Sequence, residues 1–193
     1  MAIPRRAAAI AVLIALAGSG CAQPDPNAQP TYTCTPSDGS TPEPCYKAEY
    51  DQRVKEDALY AEAEAVYRKY IAEDERIFRL GGVSEATPAM LKTLTGDGLK
   101  QASANYQELI ANSTTVVGGE FRVGYIRRVA RETYGDSIAT LESCIDATSA
   151  TFKQPGMTEP GNVSRERAFF STTREGLKIS HFKTFAGEVA ECE

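Results

Sequence analysis

The fold is decided by residues 46–80, which read YKAEYDQRVKEDALYAEAEAVYRKYIAEDERIFRL. This stretch is rich in Ala, Glu, Lys and Arg and contains neither Pro nor Gly, a composition that favours an α-helix. Its apolar residues recur at steps of three and four and therefore share one helix face. That face comprises Leu59, Ala63, Val66, Tyr67, Tyr70, Ile71, Ile77 and Phe78. We predict a long amphipathic helix that ends at Gly81-Gly82.

Two shorter helices are predicted before residue 112. Pro88 suits the first helical position of one, and Asp97 is expected to cap the other, which runs to about Ala111. Their expected core residues are Met90, Leu91 and Leu94 in the first, and Leu99, Ala102, Tyr106, Leu109 and Ile110 in the second. The N-terminal half of the domain is therefore predicted to be helical.

After residue 112 the pattern changes to strands. Residues 113–133 are rich in Val, Thr, Phe and Tyr, and Gly118-Gly119 within them indicates a bulge or a hairpin break. The alternating residues of this strand are Val117, Phe121, Val123 and Tyr125. Further strands are predicted at 137–146, 164–174 and 177–191, with a long loop or open hairpin tip at 147–163. Helices followed by a meander of antiparallel strands predict an α+β fold, in which the helices pack on a sheet.

Residues 1–20 are typical of a bacterial export signal. Arg5 and Arg6 form a short positive region, and the apolar run AAAIAVLIALA at 7–17 is too short to span a bilayer as a helix. Small residues follow directly, and the last of them stands before Cys21. The N-terminus therefore predicts export from the cytoplasm.

The small residue before Cys21 resembles the lipobox of bacterial lipoproteins. This resemblance implies cleavage before Cys21 and attachment of diacylglycerol to its sulfur, with a further acyl chain such as palmitate, which together give a stable membrane anchor. The sequence departs from the lipobox at Gly18, where the family prefers Leu. Ordinary secretion with cleavage after Ala17, and an uncleaved anchor, are the alternatives.

The chain contains five cysteines, an odd number in a chain expected to meet an oxidising environment. If Cys21 carries a lipid, four cysteines remain, and these allow three connectivities. We favour Cys34–Cys45, which closes a short Pro-rich loop, and Cys144–Cys192, which would pin the C-terminal strand to a central one. The alternative is that some of them are unpaired. Metal binding is not predicted, because there is no CxxC pair and the lone histidine is distant from the cysteines in sequence.

Three regions follow from these patterns. Residues 1–20 are the signal peptide, 21–45 form a Pro-rich tether that is expected to be extended or disordered, and 46–193 form one domain. Acidic residues outnumber basic ones, 26 to 21, and the basic ones are scattered. Nucleic acid is therefore not an expected partner, because its binding needs a basic footprint.

The domain resembles the nuclear transport factor 2-like proteins, and more specifically small exported actinobacterial lipoproteins of that superfamily. The resemblance lies in EAVYRKY at 64–70, ESCIDAT at 142–148 and LKISHFKTFAGEVAEC at 177–192. It implies a cystatin-like cone, in which a curved antiparallel sheet of four to five strands wraps helices and can hold a pocket. It also implies pairing of Cys144 with Cys192. The sequence departs from the family at Leu177, where an aromatic residue commonly begins the last strand.

Ketosteroid isomerases and SnoaL cyclases share this cone, which raises the question of catalysis. In the isomerases a buried Asp abstracts a proton while a Tyr donates to the oxyanion. The candidates of those types are Asp136 or Asp146 with Tyr106, Tyr125 or Tyr134, although Asp146 is expected to end a strand. A Ser-His-Asp triad would need His181 beside Asp136 or Asp146, but no G-x-S-x-G elbow occurs, and His181 is expected on the sheet surface or partly buried.

The sequence favours a non-catalytic, lipid-anchored domain outside the cytoplasm, in the cell envelope. Its expected partners are the membrane and either a small apolar ligand or another envelope protein. The alternatives are an isomerase-like enzyme and an accessory subunit of a secretion apparatus. No phosphate loop, dinucleotide motif or EF-hand spacing occurs, so neither a cofactor nor a metal site is predicted. A buried carboxylate beside a Tyr hydroxyl at the pocket mouth would favour the enzyme.

Overall fold

The computed structural model of the protein describes residues 31–36, 40–185 and 191–192. The predicted signal peptide, Cys21 and the first part of the predicted tether lie outside these residues. Contacts divide the chain into two units, residues 1–47 and 48–193. Within the described ranges, no helix is both long and apolar enough to cross a membrane.

The first unit contains a two-stranded antiparallel hairpin, where the sequence predicted an extended or disordered tether. Strand β1 covers Tyr32–Cys34 and strand β2 covers Glu43–Cys45. Cys34 and Cys45 form a disulfide with their Cα atoms 5.8 Å apart, as predicted, and both are buried. Pro44 can stand opposite Thr33 because both strands of a two-stranded hairpin are edge strands, where the missing N–H need not break a ladder.

The three predicted helices are present: α1 at Lys47–Leu80, α2 at Pro88–Thr93 and α3 at Gly96–Ala111. Helix α1 ends as predicted, because Gly81 and Gly82 adopt positive φ and donate their N–H groups to the carbonyls of Phe78 and Ile77. Helix α2 begins with Thr87, whose hydroxyl accepts a hydrogen bond from the Met90 N–H at 3.2 Å.

The predicted cap of α3 was wrong. Thr95 is the N-cap residue, while Asp97 lies in the first turn and pairs with Lys100 at 2.8 Å. The helix begins there because the Thr95 N–H donates to the carbonyl of Ile179 at 2.9 Å, which ties the start of α3 to the sheet. This contact lies between distant parts of the chain and leaves no local sequence signal.

The second unit contains two antiparallel sheets. One has the order β3-β6-β7, and the other has the order β4-β5-β8-β9. Their strands are β3 Thr115–Gly118, β4 Arg122–Arg128, β5 Ala139–Asp146, β6 Thr151–Gln154, β7 Met157–Pro160, β8 Val163–Thr173 and β9 Gly176–Thr184. Together with the three helices, these sheets confirm a mixed α+β fold.

Two strand predictions needed correction. The strand expected at 113–133 divides at Gly119, which adopts φ +71° and lies so close to Ser149 that a Cβ atom would be 1.8 Å from the Ser149 carbonyl oxygen. The chain therefore moves from one sheet to the other at this point. At 147–163, where a long loop or an open hairpin tip was expected, the chain forms the β6–β7 hairpin, which turns at Gly156. The expected last strand ends at Thr184, and residues 186–190 lie outside the described residues.

The core lies between the helices and one face of the four-stranded sheet. Helix α1 contributes most of its predicted stripe, together with Tyr60, which the prediction omitted. Two residues that were expected in the core, Leu91 and Ile110, are exposed, and so is Val117 of the predicted strand. Met90 and Leu109 are buried as expected, and Val116 is buried beside Val117, because a shift of one residue turns a side chain by about 100° on a helix and to the opposite face of a strand.

The second disulfide joins Cys144 of β5 to Cys192, as predicted, with Cα atoms 5.5 Å apart. It depends on Gly124, which lies in a bulge of β4 between Val123 and Tyr125. A Cβ atom on Gly124 would lie 2.3 Å from the Cβ of Cys192 and 2.8 Å from its Sγ. Glycine at this position therefore leaves the space that Cys192 occupies.

Gly124→Ala is expected to lower the free energy of unfolding by about 2 kcal/mol and to leave free thiols at Cys144 and Cys192, because the new methyl group displaces Cys192. Chemical denaturation measures the first effect, and mass spectrometry after thiol alkylation measures the second. Gly118→Ala is the control, since a Cβ there meets nothing within 4 Å. A Gly124→Ala protein that is fully oxidised and as stable as the control would contradict the prediction.

Candidate functional site

A buried hydroxyl of α1 binds two strands of the sheet. The Tyr67 hydroxyl lies 2.5 Å from Ser143 Oγ on β5 and 2.8 Å from Glu166 Oε1 on β8. A phenol has one proton and a carboxylate is an acceptor only, so Tyr67 donates to Glu166 and accepts from Ser143. Ser143 and Glu166 are direct cross-strand partners, which lets one hydroxyl reach both.

Burial raises the pKa of the Glu166 carboxyl, and the hydrogen bond from Tyr67 opposes that shift. Glu166 Oε2 accepts no hydrogen bond from the described residues, and none of their Lys, Arg or His side chains forms an ion pair with this carboxylate. Glu166 is therefore a partly buried acid whose charge no described Lys, Arg or His compensates.

A second pair of the same type joins α1 to α3. The Tyr106 hydroxyl donates to Asp74 Oδ1 at 2.7 Å. Burial raises the pKa of Asp74 to about 7, although the Tyr106 hydrogen bond opposes the shift, and the nearby Glu166 charge raises it further. Burial and the Asp74 charge in turn raise the pKa of Tyr106. At neutral pH the Asp74 carboxyl is therefore protonated in some molecules and ionised in the others.

A cavity of about 280 Å³ opens beside these pairs. We call it the Glu166 pocket, and its lining consists of Tyr70, Gln101, Ala102, Ala104, Asn105, Glu166, Phe182 and Thr184. Helices α1 and α3 supply one side, and β8 and β9 supply the other. The Tyr70 and Phe182 rings lie 4.9 Å apart between centroids. The pocket therefore combines an acid, two aromatic rings and two short-chain residues within a volume suited to a small molecule.

Gln101 fixes one wall of the Glu166 pocket. Its side-chain amide donates to the carbonyl of Phe182 at 3.1 Å, and its carbonyl oxygen accepts from the Phe182 N–H at 2.9 Å. These two bonds join α3 to β9 in a fixed register. The pocket wall is therefore held in place before any ligand enters.

A larger cavity, of about 510 Å³, lies beside the Cys144–Cys192 disulfide and includes Arg122, Asp146 and Thr148 in its lining. Asp146 ends β5, as expected. Two hydrogen bonds from Thr148 and one from Arg122 at 2.9 Å lower the pKa of Asp146 to about 2. An acid so strongly stabilised in its charged form is a poor proton acceptor, so Asp146 is not suited to act as a base.

The opposite face of the four-stranded sheet holds a compensated acid. Glu142 is 2 % exposed and accepts hydrogen bonds from Arg127, Arg167 and Tyr125. Burial alone would raise the pKa of Glu142, but the bonds from Arg167 and Arg127 outweigh it and lower the pKa. Arg167 also pairs with Glu132. This network satisfies its buried charge internally.

The structure separates the catalytic candidates that the sequence suggested. Asp136 accepts a hydrogen bond from Ser171 at 2.9 Å, and Asp146 binds Thr148 and Arg122. Over the described part of the chain, no hydrogen bond joins either aspartate to Tyr106, Tyr125 or Tyr134. Tyr106 pairs instead with Asp74, which the sequence reasoning missed.

His181 is partly buried, as expected, and stacks on Tyr134 with 3.7 Å between ring centroids. Its Nδ1 is buried, and no described residue gives it a hydrogen bond. Asp136, one of its proposed triad partners, binds Ser171 instead. The described residues therefore hold no Ser-His-Asp triad at His181. Among these residues, no three His, Cys, Asp or Glu side chains are grouped to hold a metal ion.

Comparison with known proteins gives little beyond this geometry. No family model matches the chain, and no curated protein matches it. It is similar to the solved intermembrane space region of the chloroplast protein ARC6, with 15 % identity and a TM-score of 0.49. That match covers 66 % of this chain and 96 % of the other.

Asp74→Asn is expected to remove part of the pH dependence of stability. Folding raises the pKa of Asp74 from 3.8 to about 7, so its contribution to stability is complete below about pH 4 and is lost as the pH rises through 7. At pH 8 the variant should be more stable than the native protein by about 2 kcal/mol, roughly half of what the pKa shift implies, because the side chain is only partly buried.

Urea denaturation at several pH values between 4 and 8 measures this difference. The control is Glu64→Gln, an exposed acid on the same helix that pairs with Arg68. A difference between native protein and Asp74→Asn that stays constant across the pH range would show that Asp74 does not titrate in this window.

Proposed function

We propose that this protein is an exported lipoprotein, anchored in the cell membrane through Cys21, whose domain binds a small ligand in the Glu166 pocket. The observation that carries the binding proposal is the pocket itself, with its uncompensated carboxylate and two aromatic walls. The anchoring proposal stands on the sequence of residues 1–21 and on cysteine parity.

Two observations support a location outside the cytoplasm. The leader has the positive, apolar and small-residue regions of an export signal. Four of the five cysteines form the Cys34–Cys45 and Cys144–Cys192 disulfides, which persist in oxidising compartments. Cys21 is then the cysteine left over, as a lipid-modified residue would be.

We further propose that the domain is a nuclear transport factor 2-like cone. In support, the four-stranded antiparallel sheet packs its core face against all three helices, and the Glu166 pocket lies between these layers. The cone would then be partly filled by Tyr67 and Tyr106, which are fully buried, with the pocket as its remaining open volume.

An isomerase-like enzyme is the second candidate, because two carboxylate–tyrosine pairs lie near the pocket. The pairs differ from those that the sequence suggested. In each pair the tyrosine hydroxyl donates to its own carboxylate and is not available to a substrate oxyanion. This arrangement favours binding over proton transfer.

The anchoring proposal predicts the mass of the native protein. Protein extracted from membranes should begin at Cys21 and carry diacylglycerol and an amide-linked acyl chain, and Cys21→Ala should move it into the aqueous fraction. Intact mass spectrometry and fractionation measure these outcomes, with Gln23→Ala as the neighbouring control. Native protein in the aqueous fraction, with a free thiol at Cys21 or without that residue, would contradict the proposal.

The binding proposal predicts that a small molecule stays bound to the protein when the protein is extracted from the membrane. Ala104 is exposed at the pocket lining, so Ala104→Phe should block the pocket without disturbing the core. Native mass spectrometry should detect the retained molecule on the unmodified protein and lose it in this variant. Ala111→Phe, also exposed on α3, is the matched control. Retention by the blocked variant, or no retained molecule in any sample, would overturn the proposal.

A further inference from the structure

The chemistry of the Glu166 pocket indicates the charge of its ligand. Among the described residues, Glu166 is the carboxylic acid of its lining, and the Tyr67 hydroxyl is its hydrogen-bond partner. A partly buried carboxylate without a counter-ion loses part of its hydration, and a cation placed beside it would compensate that loss.

The environment around this carboxylate is negative on more than one side. Asp74 lies near enough for the charge of Glu166 to raise its pKa, so the two acids share one region of the core. The other described side chains of the lining are neutral, and none of them is Lys or Arg. An anionic ligand would be repelled here, whereas a cation would be attracted.

The aromatic residues of the lining suit a diffuse positive charge. Tyr70 and Phe182 both line the pocket with ring centroids 4.9 Å apart, and aromatic rings attract ammonium groups through their negative faces. A small hydrated metal ion would need several oxygen ligands, but the described lining offers a single carboxylate. An organic cation needs only the counter-charge and the aromatic surface.

We infer that the Glu166 pocket binds a small organic cation, with Glu166 as its counter-ion and the Tyr70 and Phe182 rings as its aromatic wall. This inference rests on the proposed function and specifies the ligand class of the same pocket. The free oxygen of Glu166 faces the cation while the other keeps its hydrogen bond from Tyr67. Binding therefore leaves the connection of α1 to the sheet intact.

Choline and 3,3-dimethylbutan-1-ol test the inference, because they share a shape and differ in the positive nitrogen. Calorimetric titration uses the full membrane-extracted chain in a maltoside detergent, which carries no ammonium group. Choline should bind the native protein at least about tenfold more tightly than the alcohol. Glu166→Gln should weaken choline binding about tenfold and leave the alcohol unaffected, because Tyr67 can still donate to the amide oxygen.

Two control variants separate the outcomes. Glu159→Gln, on an exposed position of β7, makes the same change in net charge away from the pocket and should leave choline binding unchanged. Equal weakening by Glu159→Gln and Glu166→Gln would overturn the inference. Equal binding of choline and the alcohol, abolished for both by Ala104→Phe, would overturn the cation inference but support the pocket. Binding of neither probe also overturns the inference, while the retained-molecule measurement still decides the proposed function.

Discussion

One buried tyrosine hydroxyl on α1 links this helix to two strands of the sheet, and the other contacts of the inner face are arranged around it. Tyr67 is fully buried. Moving a hydroxyl from water into an apolar environment without a hydrogen-bond partner costs about 4 kcal/mol or more. Its hydroxyl is satisfied by Ser143 and Glu166, which face each other across β5 and β8. The acid of the pocket is therefore also part of the contact that aligns the helix with the sheet, so its position is fixed by folding.

Glu142, which is buried, and Glu166, which is partly buried, lie on opposite faces of the same sheet and differ in their partners. Glu142 binds Arg127 and Arg167, and these bonds keep its pKa low despite burial. Glu166 receives a hydroxyl and no cation from the described residues, and burial raises its pKa. A fully compensated carboxylate has its charge satisfied within the protein, whereas an uncompensated one can still take a partner. This difference is why we propose ligand binding on the face that carries Glu166.

Local patterns predicted the three helices, because apolar periodicity and helix stop signals lie within short stretches, and cysteine parity over the whole chain favoured the two disulfides that the structure shows. The start of α3 and the break at Gly119 depend on contacts with Ile179 and Ser149, which no local pattern contains. The sequence carries only a weak signal of the two acids at the candidate site. Asp74 follows Tyr70 by four residues on the apolar stripe, and Glu166 alternates with Ala168 and Phe170, both of which are buried. The tyrosine partners of Asp74 and Glu166 could not be predicted from the sequence, because they depend on how the helices and strands pack.

The hydrogen bonds that the tyrosine hydroxyls already make support the proposal of binding over that of catalysis. An isomerase-like reaction needs a hydroxyl that can meet a developing oxyanion and a base that can reach the substrate proton. Here Tyr67 and Tyr106 already donate to Glu166 and Asp74, so a substrate would have to break one of these bonds. Breaking it would leave a buried phenol or carboxylate without its partner, which costs about 1–3 kcal/mol. A ligand that approaches the free oxygen of Glu166 incurs no such cost, because both pairs remain intact.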